Sequence, residues 1–244
     1  MKSNNLLLFI VVITVVIIIL LPPCKSLYDN FQNNWNDKID GVVYINLEKR
    51  DDRKKLLLEE LKKIQVNNDK INKVSGVYTP KNGHKGCVQS HILALSMAKM
   101  NRWKYALILE DDAELNVTPE EFNSNVNNAM EYLSSNNINW NIIMLATAYS
   151  RKETVANNRI VNRVMKATTS SGYIINQNYY DTLIDLFKYC NDNMTKDKWS
   201  GGDSWEPYAL DQQWAKLQEK DLWYGFAFDL IKQRNISSSI MGER

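Results

Sequence analysis

Three consecutive carboxylates, Glu110, Asp111 and Asp112, follow the apolar run Ala106-Leu-Ile-Leu109. A short continuous apolar run reads as a buried strand of a parallel sheet. Acids at its exit cannot all be buried unpaired, because every uncompensated buried charge is strongly destabilising. Side chains alternate across a strand, so Glu110 and Asp112 share one face and Asp111 the other. Two carboxylates on one face can bracket a hard divalent cation. The carboxyl ends of strands are also where open α/β sheets bind ligands. The competing reading is a solvated acidic turn after a core strand.

Other residues carry weaker signals. Arg50 and Arg53 follow the apolar run Gly41–Leu47 and start a helix, where Asp51 and Asp52 suit the dipole and the arginines oppose it. Cations there can meet a diphosphate, or they are solvated surface arginines. Gly86 precedes a helix predicted from Cys87 to Met100, where backbone N–H groups can approach an anion. His91 falls in that helix's first turn, where a lone histidine is more often structural than a ligand or base. Asp211 sits among Leu210, Trp214 and Leu217 on a helix predicted from Pro207 to Lys220. It is either a solvated neighbour or a functional carboxylate. The polar stretch Lys196–Pro207 holds Trp199, Trp205, two adjacent glycines and Asp203, and is the most lid-like segment. Its tryptophans either stack on sugar faces or close the core. Cys24, Cys87 and Cys190 are widely spaced and give neither a metal spacing nor a disulfide framework.

Strands and helices alternate around these residues. Strands are predicted at 41–47, 72–77, 105–110, 140–146, 170–176 and 222–229, with a less regular one at 159–167. Helices are predicted from Glu48 to Gln65, from Cys87 to Met100, after Thr118-Pro119, and up to Cys190. The helix after Thr118 has Pro at its first position and an apolar stripe of Phe122, Val126, Met130 and Leu133. This order argues for a single α/β domain with a mostly parallel central sheet.

Leu6–Leu21 is apolar except for Thr14 and is followed by Pro22-Pro23. It falls between the lengths of a signal-peptide core and a membrane span, and no clear cleavage site follows. The expectation is an uncleaved signal-anchor over residues 1–25, a loose stem over 26–40 and the globular domain over 41–240. The body then lies on the far side of the membrane, luminal or extracytoplasmic (type II); a cleaved secretory signal is the alternative. The net charge of +2 with mixed signs shows no basic stripe, so nucleic acid is not an expected partner.

Four segments carry a resemblance: Ile45-Asn-Leu47 with Arg50 and Arg53; Gly86-Cys87 with Ser90-His91; Leu107-Ile-Leu-Glu-Asp-Asp112; and Gly172-Tyr-Ile-Ile175. In this order and spacing they resemble glycosyltransferase family 25, which includes bacterial lipooligosaccharide galactosyltransferases, procollagen galactosyltransferases and large-virus relatives. Leu210-Asp-Gln-Gln-Trp214 and Lys232-Gln-Arg234 with Ser239-Ile240 look like the viral-type members. The resemblance implies a GT-A-type fold, a UDP-hexose donor and inversion at the anomeric carbon. By the same likeness Asp112, with Glu110, would hold Mn²⁺ or Mg²⁺. Glu110 or Asp111 would hold the donor's ribose or a metal-bound water, and Asn46, Arg50 and Arg53 would line the nucleotide. Gly86, Cys87, Ser90 and His91 would floor the donor site, and Tyr173 would sit near the sugar. Asp211, then Asp203, would be the base or a donor-binding acid. The tail has Ser238-Ser239-Ile240 where relatives often carry an acid, and residues 196–206 lack a counterpart.

The residues fit this chemistry without the likeness. A divalent ion stabilises a diphosphate leaving group, and displacement with inversion needs a base for the acceptor hydroxyl. By the likeness, the acceptor would be a glycan or a collagen-like protein. A catalytically silent glycan-binding protein is the alternative. A nucleotidyl- or phosphotransferase is a third reading, weakened because no P-loop motif is present.

Overall fold

Trp35 and Ile39 are fully buried, so packing begins before the first strand. The computed structural model describes residues 34–155, 158–194 and 206–236. Trp35 lies on a short helix α1 (Trp35–Lys38), where its indole N–H donates to Asn123 Oδ1 at 2.7 Å and its ring meets Phe122 edge-on. Residues 35–40 of the expected stem therefore belong to the domain. The expected membrane segment lies outside the described residues; among these, no helix is long and apolar enough to cross a membrane.

Every residue of β1 (Gly41–Asn46) is buried. It pairs in parallel with β2 (Ile71–Ser75) and β3 (Tyr105–Glu110). The pleat sorts their side chains between two cores. Val42, Tyr44, Leu107 and Leu109 pack under α2 (Asp51–Lys63) and α4 (Pro119–Ser135) through Leu57, Leu61, Phe122 and Val126. Val43, Ile45, Ala106 and Ile108 face α3 (Gly83–Met100), α5 (Tyr180–Asn193) and α6 (Leu210–Gln218) through Val88, Leu95, Phe187 and Trp214. The result is a three-layer α/β domain.

The remaining strands of the large sheet are β5 (Ile142–Met144), β6 (Ala148–Thr154), β7 (Val161–Thr168), β8 (Gly172–Asn176) and β9 (Trp223–Phe226). Its order is β2-β1-β3-β8-β5-β9-β7-β6. β1, β2, β3, β5, β6 and β9 run one way, while β7 and β8 run the other. The sheet is thus mostly parallel, as expected. A separate antiparallel ribbon joins β4 (Ala113–Leu115) to β10 (Ile231–Gln233). Neither ribbon strand nor β6 follows from the sequence pattern.

Two helix starts show how local chemistry sets the boundaries. Thr118 and Glu121 form a reciprocal capping box on α4, with Pro119 following, as the sequence predicts. α3 starts at Gly83, four residues before the predicted Cys87, because the Asn82 side chain caps it by accepting the Lys85 N–H at 3.2 Å. Gly86 is therefore inside the helix rather than before it, and His91 lies beyond the first turn. A Cβ at Gly86 would collide with the Val77 carbonyl oxygen and lie 2.6 Å from Thr79 Oγ1. Gly86→Ala should therefore destabilise the domain by about 1–3 kcal/mol, measured by urea unfolding.

Candidate active site

β3 ends at Glu110, and Asp111 and Asp112 lie in the turn into β4. This breaks the alternation expected of the three acids. Glu110 keeps the orientation of Ala106 and Ile108 and faces α3. There its Oε1 lies 3.3 Å from His91 Nε2 and accepts a hydrogen bond from Ser170 Oγ. Asp111 and Asp112 both turn to Arg53 on the first turn of α2. Arg53 donates to Asp111 Oδ1 at 2.9 Å and to Asp112 Oδ2 at 3.3 Å. Asn46, at the end of β1, bridges this group by donating to Asp111 Oδ2 and to the Arg50 carbonyl, both at 2.9 Å.

The ribbon completes the cluster. Gln233 Nε2 donates to Asp112 Oδ2 at 3.3 Å, and the Arg234 amide donates to the Asp112 carbonyl at 2.7 Å. Behind Glu110, His91 is fully buried, and its Nδ1 lies 3.0 Å from the Tyr173 hydroxyl.

The charges do not balance. Burial, and then the Glu110 charge, push the Asp112 carboxyl up to about 7, although Arg53 and Gln233 pull the other way. Burial also opposes the charge on Glu110, but the hydrogen bonds and charge of His91, with Ser170 and Arg53, hold its carboxyl below the usual range. Asp112 Oδ1 is buried and has no hydrogen-bond partner among the described residues. An orphaned carboxylate oxygen of this kind, beside a second carboxylate, fits a hard divalent cation. A second donor set overlaps it: ligand atoms of Cys87, His91 and Glu110 lie within 4.8 Å of one another. Folding thus gives Cys87 metal-ligand neighbours that its spacing in the chain does not suggest. Burial and nearby carboxylates, Glu110 first, push its thiol up.

Two cavities flank this wall. The smaller, about 80 Å³, is lined by the three acids, Arg53, His91 and the Gly76–Thr79 loop. The larger, about 430 Å³, is lined by Ser170, Asp211, Asp229, Lys232 and Gln233 among others. Cys87 and Glu110 line both.

The model of glycosyltransferase family 25 (LPS biosynthesis protein) matches residues 40–199, more than half of the chain. The chain belongs to glycosyltransferase family 25. It is a nucleotide-sugar-dependent transferase. In backbone, this family 25 transferase is similar to A197 from STIV, with 11% identity, TM-score 0.42, and coverage of 82% of this chain and 86% of that one. It is also similar to a glycosyltransferase involved in glycosylation of the major capsid of PBCV-1, with 13% identity, TM-score 0.39, and coverage of 76% and 92%. Likenesses this distant carry no weight for function. No curated protein matches the transferase by sequence.

The residues singled out in the transferase's sequence divide by place. Arg53, Ser90, His91, Glu110, Asp111 and Asp112 line the smaller cavity. Asn46 lies beneath Asp111. Arg50 is outside the lining of both cavities and pairs with Asp52 at 2.7 Å. Ser90 donates to the Gly86 carbonyl at 2.6 Å and accepts the Val77 N–H at 2.8 Å, holding the cavity's loop to α3. Tyr173 is fully buried behind His91. Asp211 faces the larger cavity, and Asp203 lies outside the described residues. Sequence reasoning missed Ser170, Asp229 and Gln233 as site residues, since only the fold brings Ser170 and Gln233 to the acids and Asp229, bonded to Thr147, to the larger cavity.

Asp112 yields a signed expectation for stability. Well below its ordinary value of 3.8 the carboxyl is neutral in both folded and unfolded chains. As the pH rises towards about 7 the unfolded chain loses its proton first, and stability falls. Asp112→Asn should therefore raise the thermal midpoint at pH 8, by about 2–4 °C per kcal/mol relieved, and leave it unchanged at acid pH.

Proposed function

We propose that this family 25 transferase is a GT-A-type, metal-dependent, inverting enzyme. It moves galactose or glucose from a UDP-sugar to a hydroxyl of a glycan or collagen-like protein. The observation that carries this reading is the buried Asp112 Oδ1, without a hydrogen-bond partner among the described residues, in the lining of the smaller cavity that Glu110 also lines. Asp112 and Glu110 would hold Mn²⁺ or Mg²⁺; when bound, the cation stabilises the charge on the departing diphosphate.

The protein's own residues supply the rest. The nucleotide lies across the mouth of the smaller cavity, against the Gly76–Thr79 loop and the end of β1. Arg53 keeps Asp111 and Asp112 fixed in position, so the acids do not reorganise as charge develops. Glu110, held by His91 and Ser170, faces both cavities and lies where the sugar must pass. The acceptor enters the larger cavity. Its oxygen bonds to the anomeric carbon as the bond to the diphosphate breaks, and its proton passes to a carboxylate. Besides Glu110, Asp211 and Asp229 are the described acids of that cavity, and Asp203 is the alternative. We also propose that Leu6–Leu21 tethers the enzyme as a signal-anchor, with the body luminal or extracytoplasmic.

Wild-type protein should release UDP from UDP-galactose or UDP-glucose in the presence of Mn²⁺, and a chelator should abolish the release. Asp112→Ala should reduce the rate by about 100-fold or more. Turnover indifferent to chelator would refute the metal assignment. Glycan binding without turnover would favour a silent binding protein.

A further inference from the structure

α6 grips the end of β7. Trp214 Nε1 donates to the Ala167 carbonyl at 3.1 Å. Gln218 accepts the Ala167 N–H at 2.6 Å and donates to the Ala167 carbonyl at 3.1 Å. Asp211 stands on the same helical face, three residues before Trp214, and its Oδ2 accepts the Thr169 N–H at 3.1 Å.

Thr169 has φ of 73°. A β-branched residue in the left-handed region persists only where its surroundings over-determine it. The reversal at Thr169 leads directly into the contacts that hold Glu110. The Thr169 and Ser171 hydroxyls lie 3.2 Å apart, the Glu110 amide donates to the Ser171 carbonyl at 3.0 Å, and Ser170 Oγ donates to Glu110 Oε1.

We propose that Asp211 is a positioning residue: it holds the Thr169 backbone in its left-handed turn so that Ser170 and Ser171 fix Glu110 against the donor. It does not take the acceptor's proton, which leaves Asp229 and Asp203 as the acids for that step. The proposal rests on the functional reading above for what Glu110 does, but not for the turn itself.

The test compares Asp211→Asn, Asp211→Ala and Thr169→Gly, with Asp211→Ala also made in the Thr169→Gly background. Readouts are kcat and KM for Mn²⁺-dependent UDP release, together with the thermal midpoint. Asn still offers an oxygen to the amide, so Asp211→Asn should keep kcat within about tenfold of wild type. A proton acceptor replaced by Asn would lose about 10²–10⁴-fold, and that result overturns the proposal. Asp211→Ala should lower both kcat and the midpoint. Thr169→Gly should restore both, because glycine adopts this turn without steric penalty. Failure of that rescue also overturns the proposal. If wild-type protein releases no UDP from any donor, the functional reading fails instead. The midpoints still decide the turn: Asp211→Ala should be less destabilising in the Thr169→Gly background, and equal losses in both backgrounds overturn it.

Discussion

A single guanidinium, that of Arg53, allows two carboxylates to sit out of water at the end of the central strands. Removing charges from water costs more than their attraction returns unless geometry and hydrogen bonds are good. Asp111 meets that condition, with Arg53 and Asn46 both at 2.9 Å. Asp112 meets it only in part, with 3.3 Å contacts to Arg53 and Gln233 on one oxygen and, among the described residues, no hydrogen-bond partner on the other. The shortage of positive charge is therefore concentrated on one atom. A buried site with a localised deficit is predisposed to a small, hard cation. The path of the chain follows from this: β1 must end in Asn46, α2 must open with Arg53 inward, and β10 must return to supply Gln233.

The wall formed by Glu110 and Cys87 separates two unlike spaces. The smaller is built from β1, β2, α3 and the acidic turn, all inside the span that matches the family. Much of the larger is built from Asp211, Asp229, Lys232 and Gln233, all beyond residue 199. On the proposed reading, the donor side is thus shared family architecture, while much of the acceptor side comes from sequence outside the matched span. Such a division suits an enzyme class that keeps one kind of donor chemistry while changing its acceptor.

The strands that position the site were legible because they are nearly continuous apolar runs, and α4 was legible from Thr118-Pro119 and its stripe. The acidic run was legible for the same reason: three charges after Leu109 have no bland place in a core. Their partners were not. That Arg53 faces inward depends on how α2 packs on β1, and periodicity cannot separate it from the more exposed Arg50. Alternation would put Asp111 on the face opposite Asp112, but the strand stops at Glu110 and both aspartates turn to Arg53. The start of α3 was misplaced because Asn82 in a turn-rich stretch gives no apolar signal. Gln233 and Ser170 reach the acids only through the short ribbon and an irregular reversal. Neither has a period long enough to read.

The β4–β10 ribbon has a consequence for the order in which the enzyme matures. Gln233 reaches Asp112 across 121 positions of sequence, and Arg234 reaches Glu60 across 174. Contacts so distant along the chain carry a larger loop-closure cost than local ones and cannot form until both segments have been synthesised. During synthesis, a nascent chain that has emerged only as far as α5 carries every acid of the triplet and the lining of the smaller cavity. It lacks the ribbon strand, the α6 clamp and the far wall of the larger cavity. A stalled or clipped polypeptide is therefore left with carboxylates that have no finished pocket around them.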